Sequence, residues 1–196
     1  MLTVSKSIMK GDIRAELMAL KVLEGAAFGI KLRKIAARKE FRALPGAPFI
    51  YTIGGMTGDQ GIESQNDDFS SLLMAARKAV EHGYRVFILP NPHGIKTPNF
   101  ILERRGVYKL FDLKNISGKN IVHTRLKESI AQANRVLLNM PQYSTRKLVH
   151  DIRKYFVKYP DAIEVLIFKV MTEISVTRRF ALSQRFYFEF KKMFER

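Results

Sequence analysis

The chain has 196 residues, enough for one domain with a real hydrophobic core and room for a small appendage. Hydrophobic residues make up 46%, with 14 Phe and 7 Tyr, as in a folded protein rather than a disordered tail. The lack of cysteine excludes a disulfide framework and thiolate metal sites, and four scattered histidines speak against structural zinc. Charge is the strongest compositional fact: 34 Lys and Arg against 18 Asp and Glu give a formal +16, so the expected partner is polyanionic. A nucleic acid, an anionic membrane surface and an acidic protein all fit that number. No apolar run approaches the roughly 18 residues of a membrane helix, and no compact signal segment opens the chain, so the expectation is a soluble protein without a membrane span.

In chain order, residues 12–42 place Leu17, Leu20, Leu23, Ala27, Ile30 and Ile35 near helical spacing and finish in the basic run 31–42. This predicts a basic helical arm over residues 1–45, either gripping phosphate or docking a partner, or simply solvated and packed on the core. Pro45, Gly46 and Pro48 connect it to an α/β domain over 46–196. Phe49–Ile53 reads as a short strand and Gly54–Asn66 as a loop; a helix from Asp68, with Asp67 or Asp68 as cap, ends at Gly83. Further strands are expected at Tyr84–Leu89, Pro98–Glu103, Val107–Lys114 and Arg135–Asn139, with a hairpin from Ile163–Lys169 and Ile174–Arg178. Helices are expected at Ile121–Asn134 and Thr145–Tyr159, and an aromatic, basic helix at the end. The fold class is therefore α/β or α+β, with a central mixed sheet of about five strands flanked by helices.

Successive strand side chains point to opposite faces, so Asp112 and Lys114 in Phe111-Asp112-Leu113-Lys114 share one face. Both are expected to face an open site. A strand-end carboxylate can hold a divalent cation, and an adjacent ammonium can stabilise charge developing on an attacked phosphate. The same D-x-K pattern is often only an exposed ion pair, worth under about 1 kcal/mol. Context favours the first reading, because residues 91–150 hold eleven Lys and Arg but only three acids, Glu103, Asp112 and Glu128. Lys96, Arg104, Arg105, Lys109, Lys119, Arg125 and Lys127 form the candidate nucleic-acid contacts. Tyr108, Phe111, His123 and Tyr143 interleave with them, either for base stacking or as ordinary sheet packing.

Lys96-Thr97-Pro98-Asn99-Phe100, the hairpin ending in Phe111-Asp112-Leu113-Lys114, and the helix from Thr124-Arg125-Leu126-Lys127 to Gln132-Ala133-Asn134 carry a resemblance. Over about residues 67–178 the chain resembles the C-terminal nuclease domains of contact-dependent growth-inhibition toxins, a type that also ends phage minor head, or head-morphogenesis, proteins of Bacteroidetes elements. The resemblance implies a tRNA or other nucleic-acid endonuclease, often with a restriction-endonuclease-like sheet and a P-D…(D/E)-x-K metal site. It implies Mg2+ or another divalent cation as cofactor, an acidic immunity protein as partner, and action in the cytoplasm after delivery by a toxin or phage particle. Asp112, Asn99 and Asp68 would be the metal ligands, with Asn99 standing where the pattern has aspartate and Glu63 as an alternative to Asp68. Glu103, four strand positions beyond Asn99 and on the same face, could substitute for that missing aspartate as a catalytic acid. Two alternatives stay open. A barnase- or colicin-like ribonuclease would work without metal through His123, Thr124, Arg125 and Lys119. A non-catalytic module would only bind nucleic acid or a capsid component.

Overall fold

The computed structural model describes residues 25–53, 66–89, 98–118, 121–130, 132–141 and 143–196. They form six helices and eight strands in two compact units that divide between Leu110 and Phe111.

In the first unit, helix α1 (Ala26–Ala36) is followed by strands β1 (Phe41–Leu44) and β2 (Ala47–Ile53), helix α2 (Asn66–Glu81), and strands β3 (Arg85–Ile88) and β4 (Phe100–Arg104). β1 and β2 are antiparallel, β2 and β3 parallel, β3 and β4 antiparallel. α2 provides the crossover that a parallel pair requires. Its amphipathic pattern buries Leu72, Ala75, Ala76 and Ala79. Gly83 then takes φ 80, and the Gly83 and Tyr84 amides bond the Val80 and Ala79 carbonyls, ending the helix in the left-handed cap that glycine allows.

Of the two readings of the basic arm, the described part of it packs on the core. α1 buries Phe28, Leu32, Ile35 and Ala36 in a cluster with Phe41, Ile53, Phe87, Leu89, Ile101 and Leu110, while its basic residues stay on the outer face. β1 is also absent from the expected strands. The Lys and Arg run hides it, yet Phe41 alternates inward against outward Arg42 and pairs with Ile53. Leu17, Leu20 and Leu23 lie outside the described residues.

Strand β5 (Val107–Asn115) starts in the first unit and continues into the second, followed by α3 (Val122–Ser129), β6 (Arg135–Met140), α4 (Thr145–Lys158), β7 (Glu164–Lys169), β8 (Thr172–Thr177), α5 (Arg178–Ala181) and α6 (Phe186–Phe194). β5, β6 and β7 run parallel in sequential order, and β7 and β8 form an antiparallel hairpin. The crossovers between sequential parallel strands leave α3 and α4 packed in one core on one face, as crossovers of the same hand require. That face carries the core: Val136, Leu138, Met140, Val165 and Ile167 meet Val122 and Leu126 of α3 and Leu148, Ile152 and Phe156 of α4, with Phe186, Phe190 and Phe194 of α6. β6 is buried on both faces, with Val136, Leu137 and Leu138 all at 0% exposure, which explains its continuous apolar run.

Eight strands replace the expected five or so, and the parallel and antiparallel mixture agrees with the expected class. α3 stops five residues early, because the Ser129 carbonyl accepts the Gln132 and Ala133 amides and closes a turn. The single C-terminal helix is two, the first capped by Thr177, whose Oγ1 accepts the Phe180 amide at 3.3 Å.

Candidate functional site

Asp112 pairs in register with Val136 and Lys114 with Leu138. Directly paired residues share a face, so both project into the layer that α3 and α4 cover. Asp112 is fully buried, and 13% of the Lys114 side chain is exposed, with Nζ 3.1 Å from Asp112 Oδ2. The expectation that both face an open site is therefore corrected. β5 lies under the helices at this point, and only the lysine reaches toward solvent.

Burial holds the Asp112 carboxyl above its ordinary range, since a charge there has lost its hydration. Lys114 and the Ser129 hydroxyl oppose that shift, and Glu128 adds to it. Ser129 ends α3 and also has the Arg125 carbonyl at 3.3 Å, so its single proton serves one acceptor at a time. On α4, burial and then the nearby Asp112 charge push the Tyr155 phenol up, keeping it protonated at neutral pH. Asp112, Lys114, Ser129 and Tyr155 thus make one buried polar group beneath two helices. On the opposite face of β5 and β6, the Asn139 side-chain amide donates to Asn115 Oδ1 at 2.9 Å.

Sequence reasoning missed Ser129, Tyr155 and Asp151. Asp151, one turn before Tyr155 on the buried stripe of α4, is 6% exposed, and its Oδ2 has no hydrogen-bond partner among the described residues. The available signal was a polar residue at i, i+4 spacing inside an apolar stripe, at Asp151 and Tyr155.

The other candidates are separated from this group in the chain and in their roles. Asn99 and Glu103 belong to the first unit. Asn99 is buried, and its backbone oxygen accepts the Leu89 amide at 2.8 Å. Glu103 accepts the Gly106 amide at 2.6 Å and has Arg85 at 3.5 Å. That contact braces the turn between β4 and β5, where Arg105 and Gly106 both take positive φ. Arg104 donates to the His82 carbonyl at 3.2 Å and lies 4.2 Å from the Tyr84 ring centre, Arg105 is exposed at the turn, and Lys109 is half-buried. In the second unit His123 is half-buried on α3, Lys127 is exposed, and Arg125 pairs with Glu128 at 3.0 Å. Lys96, Lys119, Glu63 and the Asp68 side chain lie outside the described residues.

A divalent cation needs several oxygen donors converging on one point. Among the described residues no three acidic or histidine side chains converge in that way, the Asp112 carboxylate is committed to Lys114, and that of Glu103 to the turn. Among the described residues this donor set does not by itself fit the metal that the resemblance implies; the Asp68 side chain and Glu63 lie outside them. No described helix is long and apolar enough to cross a membrane.

No family model matches the chain, and no curated protein matches it. Among solved structures it is similar to a CdiA-CT/CdiI toxin and immunity complex from Burkholderia pseudomallei, at 14% identity and a TM-score of 0.45, over 65% of this chain and 98% of that one.

Proposed function

We propose that the protein is a toxin-type endonuclease that binds nucleic acid and cleaves RNA phosphodiester bonds, with Lys114 as the group that meets the phosphate. The observation that carries this reading is the Lys114–Asp112 pair: an ammonium fixed at 3.1 Å by a wholly buried carboxylate, with its own side chain still partly exposed. A fixed cation aimed where negative charge develops stabilises a transition state without reorganising during the reaction. Asp112 is then a positioning residue, because it is fully buried and holds Lys114 rather than facing solvent. The net charge of +16 supports a phosphate polymer as partner.

RNA is favoured over DNA because it carries its own nucleophile. The 2′-oxygen attacks phosphorus as a base takes its proton, the bond to the 5′-oxygen breaks, and an acid returns a proton to that leaving group. A 2′,3′-cyclic phosphate remains. Such a step requires no cation to activate water, consistent with the lack of a three-donor group among the described residues. His123, half-buried on α3, is the candidate acid or base. In a toxin setting an acidic immunity protein would be the second partner.

Incubation of the purified protein with total tRNA, duplex DNA and single-stranded DNA, each with magnesium, zinc or EDTA, tests the proposal. The expected result is cleavage of tRNA in all three conditions and of neither DNA. Loss of cleavage in EDTA with rescue by magnesium returns the metal reading, with Asp112, Asn99 and Asp68 as ligands. No cleavage anywhere leaves a binding module of nucleic acid or capsid.

A further inference from the structure

Away from Lys114, the second unit has a cleft of about 510 Å³ between the end of β8 and the start of α6. Thr177, Arg179 and Phe180 line one part of it, Ser183, Gln184 and Arg185 another, and Glu189 lies in the first turn of α6. Small-ligand clefts span roughly 300 to 1,000 Å³, so this one has the size for a single nucleotide.

Its arginines differ from their neighbours. Arg178 donates to the Phe156 and Tyr159 carbonyls, and Arg153 to those of Ala181 and Ser183 at 3.1 and 2.7 Å. Those two guanidinium groups are consumed in holding the chain, and they fix the cleft wall in place. Arg179 and Arg185 are exposed, and neither side chain has a hydrogen-bond or ion-pair partner among the described residues. Two uncommitted guanidinium groups on one cleft supply the charge and the N–H donors that a phosphate takes. The Phe180 ring is half-buried and held edge-on to Phe186, with centroids 5.0 Å apart, so it offers a fixed apolar surface for a base. Thr177 Oγ1 accepts the Phe180 amide with one of its two lone pairs and retains its proton to donate. Glu189 is the one carboxylate of the lining, and it can accept an N–H from a base edge.

We infer that this cleft is a nucleotide subsite, taking a phosphate between Arg179 and Arg185 and stacking its base on Phe180. It binds one residue of a single strand, and it requires no cleavage at Lys114. An acidic protein segment offers carboxylates to the same arginines, whereas a nucleotide joins its anionic group to a flat ring in one molecule, so Phe180 beside the arginines favours the nucleotide.

The test is equilibrium binding of adenosine 5′-monophosphate, adenosine and inorganic phosphate to the full chain, for wild type, Arg179→Gln, Arg185→Gln, Phe180→Leu and Lys114→Ala. The monophosphate is expected to bind more tightly than either fragment. Each arginine variant should weaken it at least about tenfold, the loss of one charge-assisted contact. Phe180→Leu should weaken adenosine as well, and the folded fraction of Lys114→Ala should lose far less monophosphate affinity than either arginine variant. The arginines are exposed, so these variants keep the fold, which far-UV circular dichroism checks. Monophosphate binding no tighter than phosphate, unchanged binding in both arginine variants, or a loss confined to Lys114→Ala each overturns the proposal. Binding of polyglutamate that adenosine monophosphate cannot displace also overturns it and assigns the cleft to an acidic protein. If the arginines control binding while tRNA survives intact, the nuclease reading alone fails.

Discussion

Replacing Lys114 by methionine keeps the length of the side chain and removes its charge, leaving Asp112 with no exposure and no ammonium beside it. Breaking a buried ion pair from one side costs about 3–5 kcal/mol, because the remaining charge stays desolvated. That is a large part of the roughly 5–15 kcal/mol that stabilises an ordinary domain. The pH dependence gives the loss its signature. The folded Asp112 pKa already lies above its ordinary value, through burial that Lys114 partly offsets, and the variant raises it further. For a group raised on folding, the associated stability is fully present below the ordinary carboxyl pKa and is lost as pH rises through the folded pKa. Protonated Asp112 needs no counter-charge, so the deficit of Lys114→Met should be large at pH 7 and shrink on acidification. The assay is urea unfolding of wild type, Lys114→Met, Asp112→Asn and the double variant at pH 7 and pH 5. The double variant should recover most of the loss, giving a coupling energy well above the noise of such cycles. A loss under about 1 kcal/mol at pH 7, or an equal loss at both pH values, would show a solvated pair of the surface kind and refute the reasoning.

Glu103→Ala should cost about 1–3 kcal/mol in thermal or urea unfolding, since it orphans the Gly106 amide, while RNA cleavage persists in the folded fraction; a dead but fully stable variant would restore Glu103 as a catalytic acid. Asn99→Asp should leave the magnesium dependence of cleavage superimposable on wild type and should lower stability, because it adds a buried carboxylate; higher activity at low magnesium would make residue 99 a metal ligand. Binding of single-stranded RNA should weaken log-linearly with salt, with a slope of at least about 4 if six phosphates are contacted; a flat response in fluorescence anisotropy points to a protein or membrane partner.

The elements that periodicity and capping specify were legible. Thr145–Lys158 has a strong apolar stripe, Gly83 stands where a helix ends, and Arg105-Gly106 sits between two strands. β1 was not legible: four residues, one of them a basic edge position, carry too little alternation to outweigh a run of Lys and Arg. Within the candidate site, D-x-K spacing brought Asp112 and Lys114 to one face, as strand geometry requires. It could not tell which face, because that depends on the pairing of Asp112 with Val136 and on the crossovers of α3 and α4. Ser129 and Tyr155 come to Asp112 only through tertiary packing, at sequence separations that no local pattern encodes.

The central claim is that Lys114, held by Asp112, serves RNA cleavage. It is tested most directly by incubating wild type and Lys114→Ala with tRNA in EDTA and analysing the new ends. Wild type should give fragments ending in 2′,3′-cyclic phosphate, and folded Lys114→Ala should give none. Equal cleavage by both proteins, or fragments ending only in 5′-phosphate and a free 3′-hydroxyl, would contradict it.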